Sequence, residues 1–191
     1  MGSLGSIALI LALIASVYSV IAYVVSGRRG TAGASARFSL MAVVGLVSIS
    51  TFILLFALIT HDFRLEYVAS YTSRSLPLPY LVSALWAGND GSLLFWAWLT
   101  AVFAAAAMLP KRSAGKELMP YASAIVMAVE AFFLVLILAT SNPFTELPAT
   151  PADGQGLNPL LENVGMILHP PALLAGYVGL TIPFAFAVAS L

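Results

Sequence analysis

Five apolar stretches, each close to the ~20 residues that carry a helix across a hydrocarbon core, constrain this chain more than anything else in it. They run from about Leu4 to Val25, Phe38 to Thr60, Ser92 to Pro110, Pro120 to Ala139 and Pro170 to Leu191. Lipid offers backbone amides no hydrogen-bond partner, so a spanning segment must satisfy its own, and a helix does this alone. The ~10-residue alternation of a barrel strand is nowhere evident. With 61% of the 191 residues hydrophobic and only 8% charged, the expected fold is an all-α integral membrane protein. It forms a single membrane domain over residues 1–191 with five transmembrane helices.

The eight Lys and Arg residues orient it. Arg28, Arg29 and Arg37 lie between the first two stretches, and Lys111, Arg112 and Lys116 between the third and fourth. Basic loops stay cytoplasmic. The opposite loops, about 61–91 and 141–168, carry Asp62, Glu66, Asp90, Glu146, Asp153 and Glu162 against only Arg64 and Arg74, and are expected outside. The N-terminus then also lies outside and the C-terminus in the cytoplasm. No basic flank precedes the first stretch, so it reads as a membrane anchor and not as a cleaved secretory signal.

The absence of cysteine excludes a disulfide framework, a thiolate metal site and a CxxCH haem-attachment sequence within this chain. Formal net charge is zero and the basic residues are split between two short loops, so there is no nucleic-acid footprint. No internal repeat or phosphate-cradling glycine loop occurs. The basic loops look like turns with topological charges, which leaves the outer loops as the place for function.

In the first outer loop, Leu76-Pro77-Leu78-Pro79 stops a helix. Tyr80, Leu81, Leu85 and Trp86 follow at spacing suited to a short interfacial helix. Gly88 and Gly91 then flank Asn89 and Asp90 in the run WAGNDGSLLFW, which predicts backbone angles that other residues resist, before a helix starts near Ser92. Asp90 has two readings: a cap that complements the helix dipole, or part of a site. Trp86 and Trp96, with Trp98 as a further candidate, are either an interfacial aromatic belt or a platform for a flat porphyrin.

His169 precedes Pro170 and Pro171, which fits an N-cap followed by N1 and N2, where a missing amide hydrogen does little harm. A helix start beneath the imidazole would favour its neutral form, the form that donates a lone pair to a metal. An interfacial cap histidine is the other reading. His61 also falls outside; a His61/His169 ligand pair and an ordinary interfacial residue are its alternatives. Glu130, midway along the fourth stretch, is either a buried packing or hydrogen-bonding group or part of a proton or cofactor pathway. Pro183 predicts a kink, and Gly176 with Gly179 predicts close helix approach.

The run HDFRLEYVASYTSRSLPLPYLVSALWAGNDGSLLFW, then SNPF at Ser141 to Phe144, then GLNPLLENVGMILHPPALLAGYVG, resembles the N-terminal part of the CcmF/NrfE/CcsA family of haem-handling proteins. The resemblance covers most of the chain from about Asp62 onward, with several motifs in the expected order. It implies cytochrome c-type biogenesis, as a subunit of a cytochrome c haem lyase working with a CcmE-like haem chaperone and a CcmH-like subunit on apocytochrome c. It implies that His169 is an outward-facing axial ligand to b-type haem in transit. Trp86, Asp90 and Trp96 would lie on the surface close to it. The setting implied is the bacterial inner membrane, with the functional face periplasmic.

Relatives continue for many further helices, including a tryptophan-rich outer segment and a second axial histidine. The chain is therefore expected to be a fragment or one piece of a split protein: an incomplete helical bundle that offers half a haem site and needs the C-terminal portion for lyase activity. The rival expectation is a noncatalytic membrane scaffold or remnant that binds partners without haem. A small-solute transporter would need the paired broken helices or midplane polar cluster that the sequence does not display.

Overall fold

The computed structural model describes residues 1–29, 33–108 and 117–191. Each apolar stretch is a helix long and apolar enough to cross a membrane: α1 (Gly2–Arg28), α2 (Ala34–Ile59), α5 (Asn89–Met108), α6 (Met119–Thr140) and α7 (Val164–Ala189). Two short helices, α3 (Glu66–Tyr71) and α4 (Leu78–Ser83), lie in the first long loop. The three basic residues Lys111, Arg112 and Lys116 lie outside the described residues.

The bundle is built on α1, which packs against α2 and α6. Its buried positions Gly5, Leu9, Ala12, Ser16, Ser19 and Tyr23 recur every three or four residues and so share one face. On α6 the matching face carries Ser123, Met127, Glu130, Leu134 and Ile137. Hydroxyls tie these helices to one another. Ser16 Oγ donates to Met127 O of α6 at 2.8 Å, and Ser50 Oγ of α2 donates to Gly5 O at 2.9 Å. Small residues set the spacing, since a Cβ built on Gly5 would stand 2.4 Å from the Phe144 ring.

The two long loops fold onto each other. α2 closes in a Schellman turn, with the Asp62 amide donating to Ala57 O at 2.9 Å and the His61 amide to Leu58 O at 3.4 Å. This puts His61 in the left-handed region at φ 55°, a position glycine usually fills. Arg64 then grips Asp62 through two bonds of 2.7 Å, which hold the Asp62 carboxyl below the usual carboxylate range.

Leu65 and Glu146 form a single antiparallel bridge, in which the Glu66 amide donates to Thr145 O and the Leu147 amide to Arg64 O. Further along, the Gln155 and Gly156 amides donate to Ala69 O and Thr72 O. The Asp153 carboxylate accepts from the Arg74 and Gly154 amides, and these bonds hold its pKa low. Phe144, 3% exposed, packs against the first turns of α1. The loops and the N-terminus therefore share one end of the bundle, the loop face, as the charge pattern requires.

Candidate functional site

Tyr67 organises the approach to the site. Its buried hydroxyl donates to Ala84 O at 2.8 Å and accepts from the Gly88 amide at 3.1 Å. Burial raises its pKa, which keeps the donor in place. The expected interfacial helix is present. Pro77 is the N-cap of α4, Pro79 sits in the first turn, and a 3₁₀ turn continues from Ala84 to Trp86.

Gly88 and Gly91 are required here for a reason other than the expected one. Among the described residues the only glycine with positive φ is Gly156. The pair serves close approach instead: a Cβ on Gly88 would stand 2.4 Å from the Tyr71 ring, and one on Gly91 would stand 2.2 Å from Leu85 O.

Trp86 carries the central contact, because its Nε1 donates to Met166 O at 2.9 Å. In a regular helix that carbonyl accepts from the amide four residues on, and here that residue is Pro170, which has none. The expected N-cap at His169 is thereby corrected. α7 starts at Val164, with Asn163 as N-cap and its side chain accepting from the Met166 amide, so Pro170 and Pro171 lie inside the helix. An interior proline leaves an orphaned carbonyl, normally a strong reason against such a position. The Trp86 indole supplies the missing donor from another part of the chain.

His169 sits one turn along from Met166, exposed, past the first turn of α7. The dipole argument made for a cap therefore does not apply to it. Its imidazole makes no hydrogen bond, ion pair or ring contact with any described residue, so both ring nitrogens are open to a ligand.

Replacing Trp86 with Phe should keep most of the packing on Phe95 and lose the bond to Met166 O. An unsatisfied buried carbonyl costs about 1–3 kcal/mol, to be read as a fall in thermal midpoint. An unchanged midpoint would show that water replaces the indole at no cost.

The expected aromatic platform divides in two. Successive helical residues point about 100° apart, so Trp96 and Trp98 leave α5 in nearly opposite directions. Trp86 packs on Phe95 at 5.2 Å between centroids, and Phe95 stacks on Trp98 at 5.7 Å. Trp96 belongs to the other set, between Phe133 of α6 at 5.0 Å and Tyr177 of α7 at 5.8 Å. This second set clamps α7 to the bundle.

Asp90 lies in the first turn of α5, which begins at Asn89, earlier than expected. Its place there agrees with the dipole reading. It faces a cleft of about 160 Å³ lined also by Glu66, Tyr71 and Asn142, a different neighbourhood from that of His169. His61 Nε2 meets Ser73 O at 3.1 Å and its ring edge touches Phe63, so this histidine is engaged within its loop. Gly176 has nothing within 4 Å of a built Cβ and Gly179 only an ordinary contact at 3.8 Å to Phe103, so close approach at these glycines is not what seats α7. Among the described residues no cluster of three or more His, Asp or Glu could hold a metal ion.

Sequence reasoning missed the Asn163 cap and the Tyr67 hub. The first was signalled by an asparagine ahead of an apolar run; the second had no local signal.

Comparison with known proteins places these residues in context. A family model described as Cytochrome C assembly protein matches residues 86–191, the part that holds Trp86, Asp90, Trp96, Glu130 and His169. The cytochrome c-type biogenesis protein CcmF of Haemophilus influenzae is 37% identical over the whole chain, and that of Escherichia coli K12 is 40% identical over 85% of it. The chain spans only 30% and 26% of the length of these two curated relatives. A solved structure titled Cytochrome c Heme Lyase CcmF superposes on 99% of the chain and 30% of its own with a TM-score of 0.81. At 24% identity that likeness speaks for the fold.

Proposed function

The chain belongs to the Cytochrome C assembly protein family, and from that premise we propose that it takes part in cytochrome c-type biogenesis by presenting haem at its loop face for attachment to apocytochrome c. The observation that carries this reading is His169: an exposed imidazole with no hydrogen-bond, ion-pair or ring partner among the described residues, on a helical turn whose backbone is pinned from outside by Trp86. A group built for packing would be buried, and a cap would be bonded to its own helix end.

Haem is cargo in this reading, and His169 is fitted to be one of its axial ligands. The residues present fit half of such a site. His61, the other histidine, has Nε2 on Ser73 O within its own loop, and on this reading the second axial ligand belongs to the rest of the family's larger architecture. The haem supplies the vinyl groups that react with thiols. This chain contains no cysteine, so those thiols belong to the apocytochrome. What the chain contributes is position: an imidazole carried on a helical turn whose backbone is held by Trp86, itself packed on Phe95.

The partners on this reading are apocytochrome c, a CcmE-like haem chaperone, a CcmH-like subunit and the C-terminal part of the family protein, with the haem b-type in transit. The membrane is the bacterial inner membrane. Arg28, Arg29 and Arg37 at the end opposite the loops support a periplasmic loop face on this reading. Deleting its gene from the source cell should abolish covalently haem-stained cytochrome c while apocytochrome still reaches the periplasm. Undiminished holocytochrome in the deletion strain would refute the proposal.

A further inference from the structure

The hairpin of α1 and α2 carries on its outer side a furrow of about 460 Å³ with an almost wholly apolar lining. Its walls are Leu11 and Tyr18 of α1 and Phe38 of α2, all exposed, and its floor is Ala15, Ser39 and Ala42. On each helix these positions recur every three or four residues and form one face. Small residues between tall ones leave the gap. The Ser39 hydroxyl donates to Ala36 O at 2.9 Å, so it is satisfied within α2 and the floor stays apolar in character.

The furrow is limited in length. On α2 it starts at Ser35 in the first turn and stops at Leu46, midway along the helix, a run of about 16 Å at 1.5 Å per residue. One leaflet is as deep, half of a hydrocarbon core about 30 Å thick. Toward the loop face the hairpin exposes the large side chains of Leu4, Ile7 and Ile49, and the furrow does not continue. A spanning helix of another chain would need a seam along the whole hairpin, so the slot suits a shorter, more flexible occupant.

Its open end is cationic. The Gly33 amide donates to Ser26 Oγ at 3.2 Å, which sets the start of α2 against the last turn of α1. Arg28 and Arg29, both exposed, stand at that end, and Arg37 is two residues on from Ser35. The Arg29 amide bonds to Val25 O at 3.2 Å, so the helical trace carries through it. About three turns separate it from Tyr18, which puts Arg29 on the stripe that lines the furrow. Residues 1–60 contain no Asp or Glu, so the hairpin itself offers this end positive charge alone.

We propose that the furrow is a binding site for one anionic phospholipid, with an acyl chain between the walls and the phosphate at Arg28 and Arg29. In a bilayer an acyl chain already has apolar neighbours, so the furrow contributes close packing and not hydrophobic burial. The arginines choose the headgroup, at roughly fivefold in affinity for each basic residue near the surface. This inference is independent of haem binding.

Native mass spectrometry of the full chain in detergent, titrated with phosphatidylglycerol or with phosphatidylcholine, tests it. One phosphatidylglycerol should bind per chain, more tightly than phosphatidylcholine. Ala42→Leu fills the floor and leaves every charge in place. It should weaken that binding at least about tenfold, the effect of some ten lost carbon contacts. The double variant Arg28→Gln/Arg29→Gln should weaken it about 30-fold and leave phosphatidylcholine binding unchanged. Equal affinity for the two lipids would overturn the proposal, as would phosphatidylglycerol binding that Ala42→Leu does not alter. A lipid-free dimer that Ala42→Leu dissociates would give the furrow to a second copy of the chain and overturn it too. If the arginine variant does not insert, Ala42→Leu and the comparison of the two lipids decide the matter by themselves.

Discussion

Haem bound by the complete protein is expected to lose its low-spin absorption bands when His169 is replaced by alanine, with the fold intact. The expectation is sharp because the imidazole makes no hydrogen bond, ion pair or ring contact with the described residues. Surface substitutions of this kind stay within about 0.5 kcal/mol of stability, so a spectral change reads ligation and not unfolding. The loss in affinity should exceed the roughly 10–100-fold that follows removal of a group merely supporting a metal ligand. His61→Ala is the contrasting variant: on this reading His61 serves its own loop, where Nε2 meets Ser73 O, and its loss should leave the spectrum unchanged. Native bands in His169→Ala, measured reduced and oxidised, would remove His169 from the site and favour a haem-free scaffold.

The largest expected effect on folding comes from a single methyl group at Gly91. A Cβ there would lie 2.2 Å from Leu85 O and 2.3 Å from the Tyr67 hydroxyl, inside any real contact distance. The nearer obstacle is backbone and the other is a hydroxyl bonded on two sides, so neither yields easily. Overpacking of this kind costs about 1–3 kcal/mol. Displacing Tyr67 also orphans the Gly88 amide, at about 1–3 kcal/mol. Gly91→Ala should therefore lower the thermal midpoint steeply and expose the 61–88 loop to protease. Gly45→Ala is the control, because nothing lies within 4 Å of its built Cβ. Equal midpoints for the two variants would show that the junction relaxes freely.

How much of this was visible along the chain depends on how far each determinant reaches. The five spans are legible because the membrane imposes its constraint on consecutive residues, and hydropathy reports that directly. The short helix over residues 78–83 is legible because Pro77 and Pro79 act on their own neighbours. The start of α7 is not. Local rules place prolines in a first turn, whereas Asn163 begins the helix earlier and an indole from another loop satisfies the carbonyl that Pro170 strands.

The glycines of WAGNDG stand out in the sequence as special, but their partners Tyr67 and Tyr71 lie some twenty residues away, so turn geometry was the nearer and mistaken inference. His169 and Trp86 are both identifiable from the sequence. Their connection through Met166 is tertiary. Glu130 reads as a costly buried acid by position alone, and the structure buries it fully.

The bond from Trp86 to Met166 also bears on how this protein can vary. Its worth is conditional: the indole N–H matters because residue 170 has no amide hydrogen to offer. A chain carrying an ordinary residue at 170 would satisfy Met166 O from within its own helix and release position 86 to any ring that packs on Phe95. A chain that lost Trp86 first would strand the carbonyl and pass through a less stable intermediate. The two positions are therefore one heritable unit, open to change in one order and costly in the other, and non-additivity between neighbours sharing a partner is the physical form that such historical contingency takes.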